Sequence, residues 1–214
     1  TLNLFAAVLH MRGEKMIQQP YSSSSLCGQY CFCWNGECYS HDEAYGMPSF
    51  DIANLDSSSE RESDTVRVMQ MIQNAIDERA GKLNGFSSKE EHGAIVSALS
   101  RVHGEYSFIL LSETSNCLYF GRDPLGRRSL LMSKMNSVDN ESSEMGSTST
   151  SKDEPFVIAS VVPDGNGLQN SMIEIEAGKV YRLELQSGLL THLSLQPLQN
   201  VPKDNINGFD RKYN

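Results

Sequence analysis

The sequence predicts an α+β fold made of many short strands and two amphipathic helices. Short apolar segments separated by Gly, Pro and Asn turns recur along the chain, as in antiparallel sheets. The two segments with helical periodicity are neighbours in the sequence and do not alternate with strands. The glycine-rich nucleotide loops typical of βαβ folds do not occur. This grouping favours α+β over an alternating βαβ arrangement.

The composition limits the class of partner. A chain of 214 residues suits one domain with a sizeable core. Its net charge of -9 argues against nucleic acid or an anionic membrane as partner, since phosphates require a basic surface. No apolar run of about 20 residues is present, so we expect no membrane span. The sequence has no secretory signal and begins inside an apolar segment, residues 1–8, which predicts a cytoplasmic protein truncated at its N-terminus.

Four of the five cysteines lie close together in the sequence. Cys27, Cys31, Cys33 and Cys38 lack the paired C-x-x-C spacing of a zinc site, and no histidine stands at ligand spacing. An odd number of cysteines fits reduced thiols in a cytosolic protein. We therefore interpret them as small core residues and expect no metal.

The N-terminal part of the chain leads to an Asn-Gly pair. We predict a strand over residues 2–9, a loop over 14–30 that contains Gln18-Gln19-Pro20, and a strand over Cys31–Trp34. Asn35-Gly36 follows this strand, and such a pair most often forms a turn. The Asn35 amide and the Gly36 N–H could instead act as paired donors of an oxyanion hole.

Two helices follow a polar loop. The first is predicted to begin at Asp64, with this aspartate as its N-cap, and to end at Gly81. The second is predicted to begin at Ser88, with a capping box from Ser88 to Glu91, and to end at Gly104.

The C-terminal half is predicted to consist of strands. A hairpin joins 106–111 to 117–120, and further strands are expected at 129–132, 156–162, 173–175, 180–185 and 189–195. Residues 133–154 are rich in Ser, Glu and Met without periodicity, which predicts a disordered surface insertion. We expect one domain over residues 1–195 and a linker over 196–214.

Several motifs in order resemble class II glutamine amidotransferase domains, and within them the asparagine synthetase-like proteins. They are Trp34-Asn35-Gly36-Glu37-Cys38-Tyr39-Ser40, Ser63-Asp64-Thr65, Gly104-Glu105-Tyr106-Ser107-Phe108 and the run from Leu118 through Gly121-Arg122-Asp123-Pro124-Leu125-Gly126 to Arg128. His10-Met11-Arg12-Gly13 and Gly126-Arg127-Arg128-Ser129-Leu130-Leu131 place the chain near the asparagine synthetase-like branch. The resemblance covers roughly residues 4–195. It implies an N-terminal-nucleophile hydrolase fold, an αββα sandwich of two mainly antiparallel sheets with flanking helices.

The resemblance also implies an activity and its residues. Such domains hydrolyse glutamine and pass ammonia to a synthetase domain that uses ATP and magnesium. Asn35 and Gly36 match the oxyanion hole, and Glu37 and Asp64 match the groups that hold the α-amine of glutamine. Arg12 is the candidate for its carboxylate, although its register differs from the family pattern by a few residues. We expect no cofactor in this domain.

The nucleophile departs from the family pattern. The family uses an N-terminal Cys whose α-amine, with a pKa near 8, serves as base. No cysteine stands at the start of this sequence, so we expect the 214-residue polypeptide to be an inactive piece of a glutaminase. Thr1 is a formal alternative nucleophile. Two further interpretations remain: a non-catalytic binding or scaffold module with this fold, and an unrelated α+β protein with chance motifs.

Overall fold

The computed structural model describes residues 2–4, 6, 16–38, 63–82, 86–133, 156–162 and 172–196. Of the first strand predicted at 2–9, residues 2–4 and 6 are described and are not in a strand, and its other residues lie outside the described part. The insertion and the linker also lie outside it, apart from Ser133 and Gln196.

Two antiparallel sheets and two helices make up the described part. The strands are β1 (Tyr21–Ser25), β2 (Gly28–Cys38), β3 (Gly104–Ser112), β4 (Cys117–Arg122), β5 (Leu131–Ser133), β6 (Ile158–Ala159), β7 (Met172–Glu174), β8 (Lys179–Glu184) and β9 (Leu190–Ser194), and the helices are α1 (Asp64–Gly81) and α2 (Ser88–Leu99). The larger sheet has the order β1-β2-β3-β4-β8-β9, and the smaller has the order β6-β5-β7.

The larger sheet is buried on both faces, because its strands alternate two sets of apolar side chains. One set, including Phe32, Trp34 and Phe108, packs against both helices. The other set, including Leu118 and Phe120, packs against residues of the smaller sheet and its flanks. The described chain therefore has three layers, helices on sheet on sheet, and the predicted α+β sandwich is confirmed. The second helical layer of the αββα arrangement is not among the described residues.

One strand, β1, lies where the sequence predicts a loop. Residues 21–25 were predicted as loop, but they form β1, which pairs with β2 from Tyr21 opposite Phe32 to Ser25 opposite Gly28. Four of its five residues are serines, which have no apolar pattern to indicate a strand. The strand conformation of β1 therefore depends on its pairing with β2 and not on a pattern in its own sequence.

The N-caps differ from the predictions by one residue, and the end of α2 differs by about five. Ser63, and not Asp64, is the N-cap of α1, and its side chain accepts from the Val66 N–H. The capping box of α2 joins Ser87 to Glu90 and not Ser88 to Glu91. At the C-termini, α1 ends at Gly81 with Lys82 as its cap, and α2 ends at Leu99, so Gly104 instead begins β3.

None of the helices in the described part of the chain is long and apolar enough to cross a membrane.

Candidate functional site

The C-terminal half of β2 has β3 on one edge and side chains on the other. β1 reaches only as far as Tyr21, opposite Phe32. Beyond that point, the Trp34 N–H donates to Gln19 Oε1 at 2.7 Å and the Cys38 N–H donates to Asp64 Oδ2 at 3.0 Å. The N–H groups of a strand point to alternate edges. The Gly36 N–H therefore points to this same edge. It lies between the N–H groups of Trp34 and Cys38, which donate to Gln19 and Asp64.

The first turn of α1 lies opposite this edge of β2. Asp64 and Thr65 are both buried, with 7% and 6% exposure. Asp64 is the first residue of the helix, next to the N-cap Ser63, where the helix dipole favours a negative charge. Its carboxylate accepts from the Cys38 N–H and so joins the first turn of α1 to the end of β2.

Gly36 is required by the close approach of β3. A Cβ at this position would lie 2.4 Å from the Glu105 carbonyl oxygen and 2.7 Å from the Tyr106 Cα. The Gly36 carbonyl is fixed as well, because it accepts from Trp34 Nε1 at 3.1 Å. The backbone around Gly36 is therefore held on both edges of β2.

Asn35 and Glu37 project from the face of β2 opposite to the helical layer, since Trp34 between them and its alternate neighbours pack on α1 and α2. Asn35 is exposed and pairs with Ser107 across the sheet, and Glu37 is half-buried and pairs with Glu105. The two side chains and the Gly36 edge thus border one region at the end of β2.

The turn after β4 supports β3 opposite Gly36. Asp123 is buried, and its carboxylate accepts from the backbone N–H groups of Tyr106 (3.2 Å), Leu125 (2.8 Å) and Arg127 (2.9 Å). Its own N–H donates to the Tyr106 carbonyl at 2.9 Å. The Arg122 side chain donates to the carbonyls of Gly126, Arg128 and Ile175. This run of the sequence is therefore structural support for the strand that faces the Asn35-Gly36 end.

Cys33 is the thiol two residues before Asn35 on the same face of β2. Burial, with the neighbouring Cys31 thiol, raises the pKa of Cys33 to about 11. Burial also raises the pKa of Cys31. Only the thiolate is nucleophilic, so neither thiol is activated near neutral pH.

A cleft of about 220 Å³ lies at the other end of β2, between the start of α2 and the β3–β4 turn. Glu91 lines it, and its carboxylate accepts from the hydroxyls of Tyr30 (2.9 Å), Ser112 (2.8 Å) and Tyr119 (2.7 Å). A carboxylate with three hydroxyl partners is well satisfied, and we interpret Glu91 as a packing element.

The structure thus places four of the five predicted site residues at one end of β2, while Arg12 lies outside the described residues. Asp64 meets the strand end through the Cys38 N–H rather than standing as a solvent-facing cap. Gln19 and Thr65 were not identified from the sequence as site residues. The Gln-Pro pair was a visible signal, but Gln19 contacts Thr65, which is 46 residues away in sequence.

Comparison with known proteins identifies the class. A model of the glutamine amidotransferase domain family matches residues 7–149, which is more than half of the chain. The chain belongs to this family, as the motifs predicted, and the interpretation of chance motifs is wrong.

The similar proteins narrow the class further. Human asparagine synthetase domain-containing protein 1 is 28% identical over 207 residues, which cover 95% of this chain and 25% of that protein. A Saccharomyces cerevisiae asparagine synthetase domain-containing protein is 25% identical over 191 residues, 88% of this chain and 26% of that protein. The chain spans about a quarter of the length of the curated relatives it matches.

Solved structures show the fold. The glutamine phosphoribosylpyrophosphate amidotransferase of Bacillus subtilis, complexed with ADP and GMP, superposes with a TM-score of 0.51 at 17% identity, covering 83% of this chain and 32% of that chain. A Pseudomonas aeruginosa protein described as a predicted glutamine amidotransferase gives a TM-score of 0.50 at 12% identity, over 80% of this chain and 63% of that chain. These likenesses confirm the fold class alone.

Proposed function

We propose that this domain binds glutamine at the Gly36 edge of β2 and hydrolyses its side-chain amide to glutamate and ammonia. Asn35 Nδ2 and the Gly36 N–H stabilise the oxyanion that forms when the amide carbon is attacked. Asp64 and Glu37 hold the α-amine, and Arg12 holds the α-carboxylate. The observation that carries the proposal is the position of the Gly36 N–H between the donors bound by Gln19 and Asp64.

The spacing of these groups suits an amino acid of this length. At the rise of an antiparallel strand, the N–H groups of Gly36 and Cys38 are about 7 Å apart. Asp64 Oδ2 lies 3.0 Å from the second of these groups. An extended glutamine measures about 5 Å from amide carbon to α-amine at standard bond lengths. With a hydrogen bond of about 3 Å at each end, its reach of about 11 Å exceeds the distance from Gly36 to the Asp64 carboxylate, so a bent glutamine can contact both groups.

The nucleophile in this proposal is an N-terminal cysteine of the longer protein, as the class II resemblance implies. Its α-amine takes the thiol proton, and the thiolate attacks the amide carbon. The α-ammonium returns that proton to the amide nitrogen as the tetrahedral intermediate collapses with loss of ammonia, and water then hydrolyses the thioester to glutamate and the free thiol. The five cysteines of the printed sequence stand at other positions, and none carries its own free α-amine. We therefore expect the 214-residue polypeptide alone to release no detectable ammonia from glutamine, and Thr1→Ala to change nothing.

For the complete protein we propose that the ammonia serves amide formation, in the manner of asparagine biosynthesis in the cytoplasm. The support is the resemblance to proteins named for an asparagine synthetase domain, of which this chain covers about a quarter. ATP and magnesium would bind in the synthetase domain and not in this one.

The test is glutamine hydrolysis by the full-length protein and its Asn35→Ala variant. Removal of one oxyanion-hole donor lowers kcat by about 100- to 1000-fold. Asn74→Ala is the matched control, because Asn74 is exposed on α1 and the same side-chain atoms are removed. Ammonia release that is equal in both variants would contradict the assigned role of Asn35. Glutamine binding by calorimetry without any ammonia release would instead identify a non-catalytic binding module.

A further inference from the structure

Gln19 joins two segments that border the proposed glutamine site. Its Oε1 accepts from the Trp34 N–H at 2.7 Å, and its Nε2 donates to Thr65 Oγ1 at 3.1 Å. Trp34 immediately precedes Asn35 in β2, and Thr65 immediately follows Asp64 in α1. One amide side chain therefore connects the approach to the Asn-Gly pair with the first turn of the helix.

The amide takes the position that a neighbouring strand would occupy. The last pair of β1 and β2 is Tyr21 with Phe32, and the next N–H on that edge belongs to Trp34. Gln19 Oε1 supplies its acceptor in place of a strand carbonyl. Because the acceptor is a side chain, the β1–β2 ladder ends there, and no strand of the described part of the chain covers the Gly36 N–H two residues later.

Two bridges therefore join β2 to α1 around Gly36. The Gln19 bridge ends at Trp34 and Thr65, and the second bridge is the Asp64–Cys38 hydrogen bond of 3.0 Å. With both present, the segment between them is fixed in position and in rotation against the helix. With one lost, the strand end stays paired with β3, but its other edge is held to α1 at one point and can shift against the helix.

We propose that Gln19 is a positioning residue that sets the Asn35-Gly36 donors in register with Asp64. This inference rests on the proposed function for its catalytic meaning. The oxyanion exists only after attack on the amide, so a shift of the Gly36 N–H lowers kcat more than it raises KM. If Gln19 only stabilised the fold, its replacement would lower the unfolding midpoint without lowering kcat more than it raises KM.

Thr65 offers the cleanest perturbation. It is buried, and Thr65→Val keeps the branched shape while it removes the acceptor of Gln19 Nε2. Thr65→Ser keeps the hydroxyl and serves as the conservative rescue. Gln19→Met removes both hydrogen bonds at similar side-chain length, and the double variant tests whether the two residues act through one contact.

Ser23→Ala is the matched control. The Ser23 hydroxyl donates to Gln73 Oε1 at 3.0 Å, so this variant also removes one side-chain hydrogen bond between the β1–β2 hairpin and α1. Its strand lies outside the region that borders Gly36, and Ser23 has no role in the proposed site.

The experiment uses the full-length protein and combines amide hydrogen exchange over residues 34–38 with glutaminase kinetics. We expect Thr65→Val and Gln19→Met to speed this exchange about tenfold and to lower kcat about tenfold or more, since a misplacement of about 1 Å can cost 100-fold. KM should change less than twofold, Thr65→Ser should restore wild-type behaviour, and the double variant should be no worse than Gln19→Met. Ser23→Ala should lower the unfolding midpoint and leave both the exchange over residues 34–38 and kcat unchanged.

The outcomes separate the two proposals. Equal exchange over residues 34–38 in Thr65→Val and Ser23→Ala would overturn the positioning role of Gln19. If the wild-type protein releases no ammonia, the proposed function fails, and the exchange comparison still decides whether Gln19 fixes the strand end. Faster exchange with unchanged kcat would also overturn the inference, since the register would then not matter to the reaction.

Discussion

Gly36→Ala is the substitution for which the structure predicts the largest local effect. The new Cβ would lie 2.4 Å from the Glu105 carbonyl oxygen, 2.5 Å from the Tyr106 Cβ and 2.7 Å from the Tyr106 Cα. Carbon atoms in optimal contact are about 3.5–4.0 Å apart, so β2 and β3 must separate by about 1 Å. Because backbone rather than a flexible side chain must move, we expect the upper end of the overpacking cost, about 3 kcal/mol.

The assay is urea unfolding of the full-length protein beside its glutaminase activity. The 1 Å displacement falls on the proposed donor itself, so we expect kcat to fall at least about 100-fold. Gly81→Ala is the control, because a Cβ at Gly81 meets nothing within 4 Å and Ala is favoured by about 0.5–1 kcal/mol in a helix. A Gly36→Ala protein with a wild-type midpoint and wild-type kcat would refute the argument from close approach.

Three further outcomes follow from buried polar groups. Asp123→Asn replaces one of two acceptor oxygens by an NH2 donor, so at least one backbone N–H loses its acceptor and the free energy of unfolding should fall by about 1–3 kcal/mol. An unchanged urea midpoint would contradict this. Burial lowers the pKa of His92 from 6.5, so the stability present above that value should decline as pH falls below it. His92→Gln should make stability depend less on pH in this range. An equal dependence on pH in the wild-type and variant proteins would contradict this. Burial raises the pKa of Cys33 to about 11, so its alkylation, followed by mass spectrometry, should be slow at neutral pH and speed up about tenfold per pH unit below that value. Rapid labelling at neutral pH would disprove it.

The parts of the fold that the sequence predicted are those whose signal is local. The central strand β2 alternates large buried residues such as Phe32 and Trp34 with smaller ones, and β3 contains the continuous apolar run 108–111. Both signals are visible in the sequence without a partner strand. β1 has no such signal, since a serine-rich strand depends on the strand beside it. The caps were displaced because Ser63 and Asp64 are adjacent and both residue types serve well as N-caps.

The site was predictable only where its residues are consecutive. Asn35, Gly36 and Glu37 form a motif in the sequence, whereas the contact of Gln19 with Thr65 depends on the packing of α1 beside the hairpin. No periodicity or spacing within the chain encodes that contact. The role of Arg12 stays a prediction, since this residue lies outside the described part of the chain.

The arrangement also explains why an Asn-Gly pair can serve as more than a turn here. A hairpin at this point would pair Gly36 with the returning strand and consume its N–H. Instead β2 continues through Gly36 to Cys38 against β3, and its other edge is completed by single side chains, Gln19 before the glycine and Asp64 after it. Side chains satisfy one N–H each, so within the described residues the Gly36 N–H between them is directed at the region that Asn35 borders. An edge completed in this way satisfies the Trp34 and Cys38 N–H groups and leaves the Gly36 N–H in the position that the proposed oxyanion hole requires.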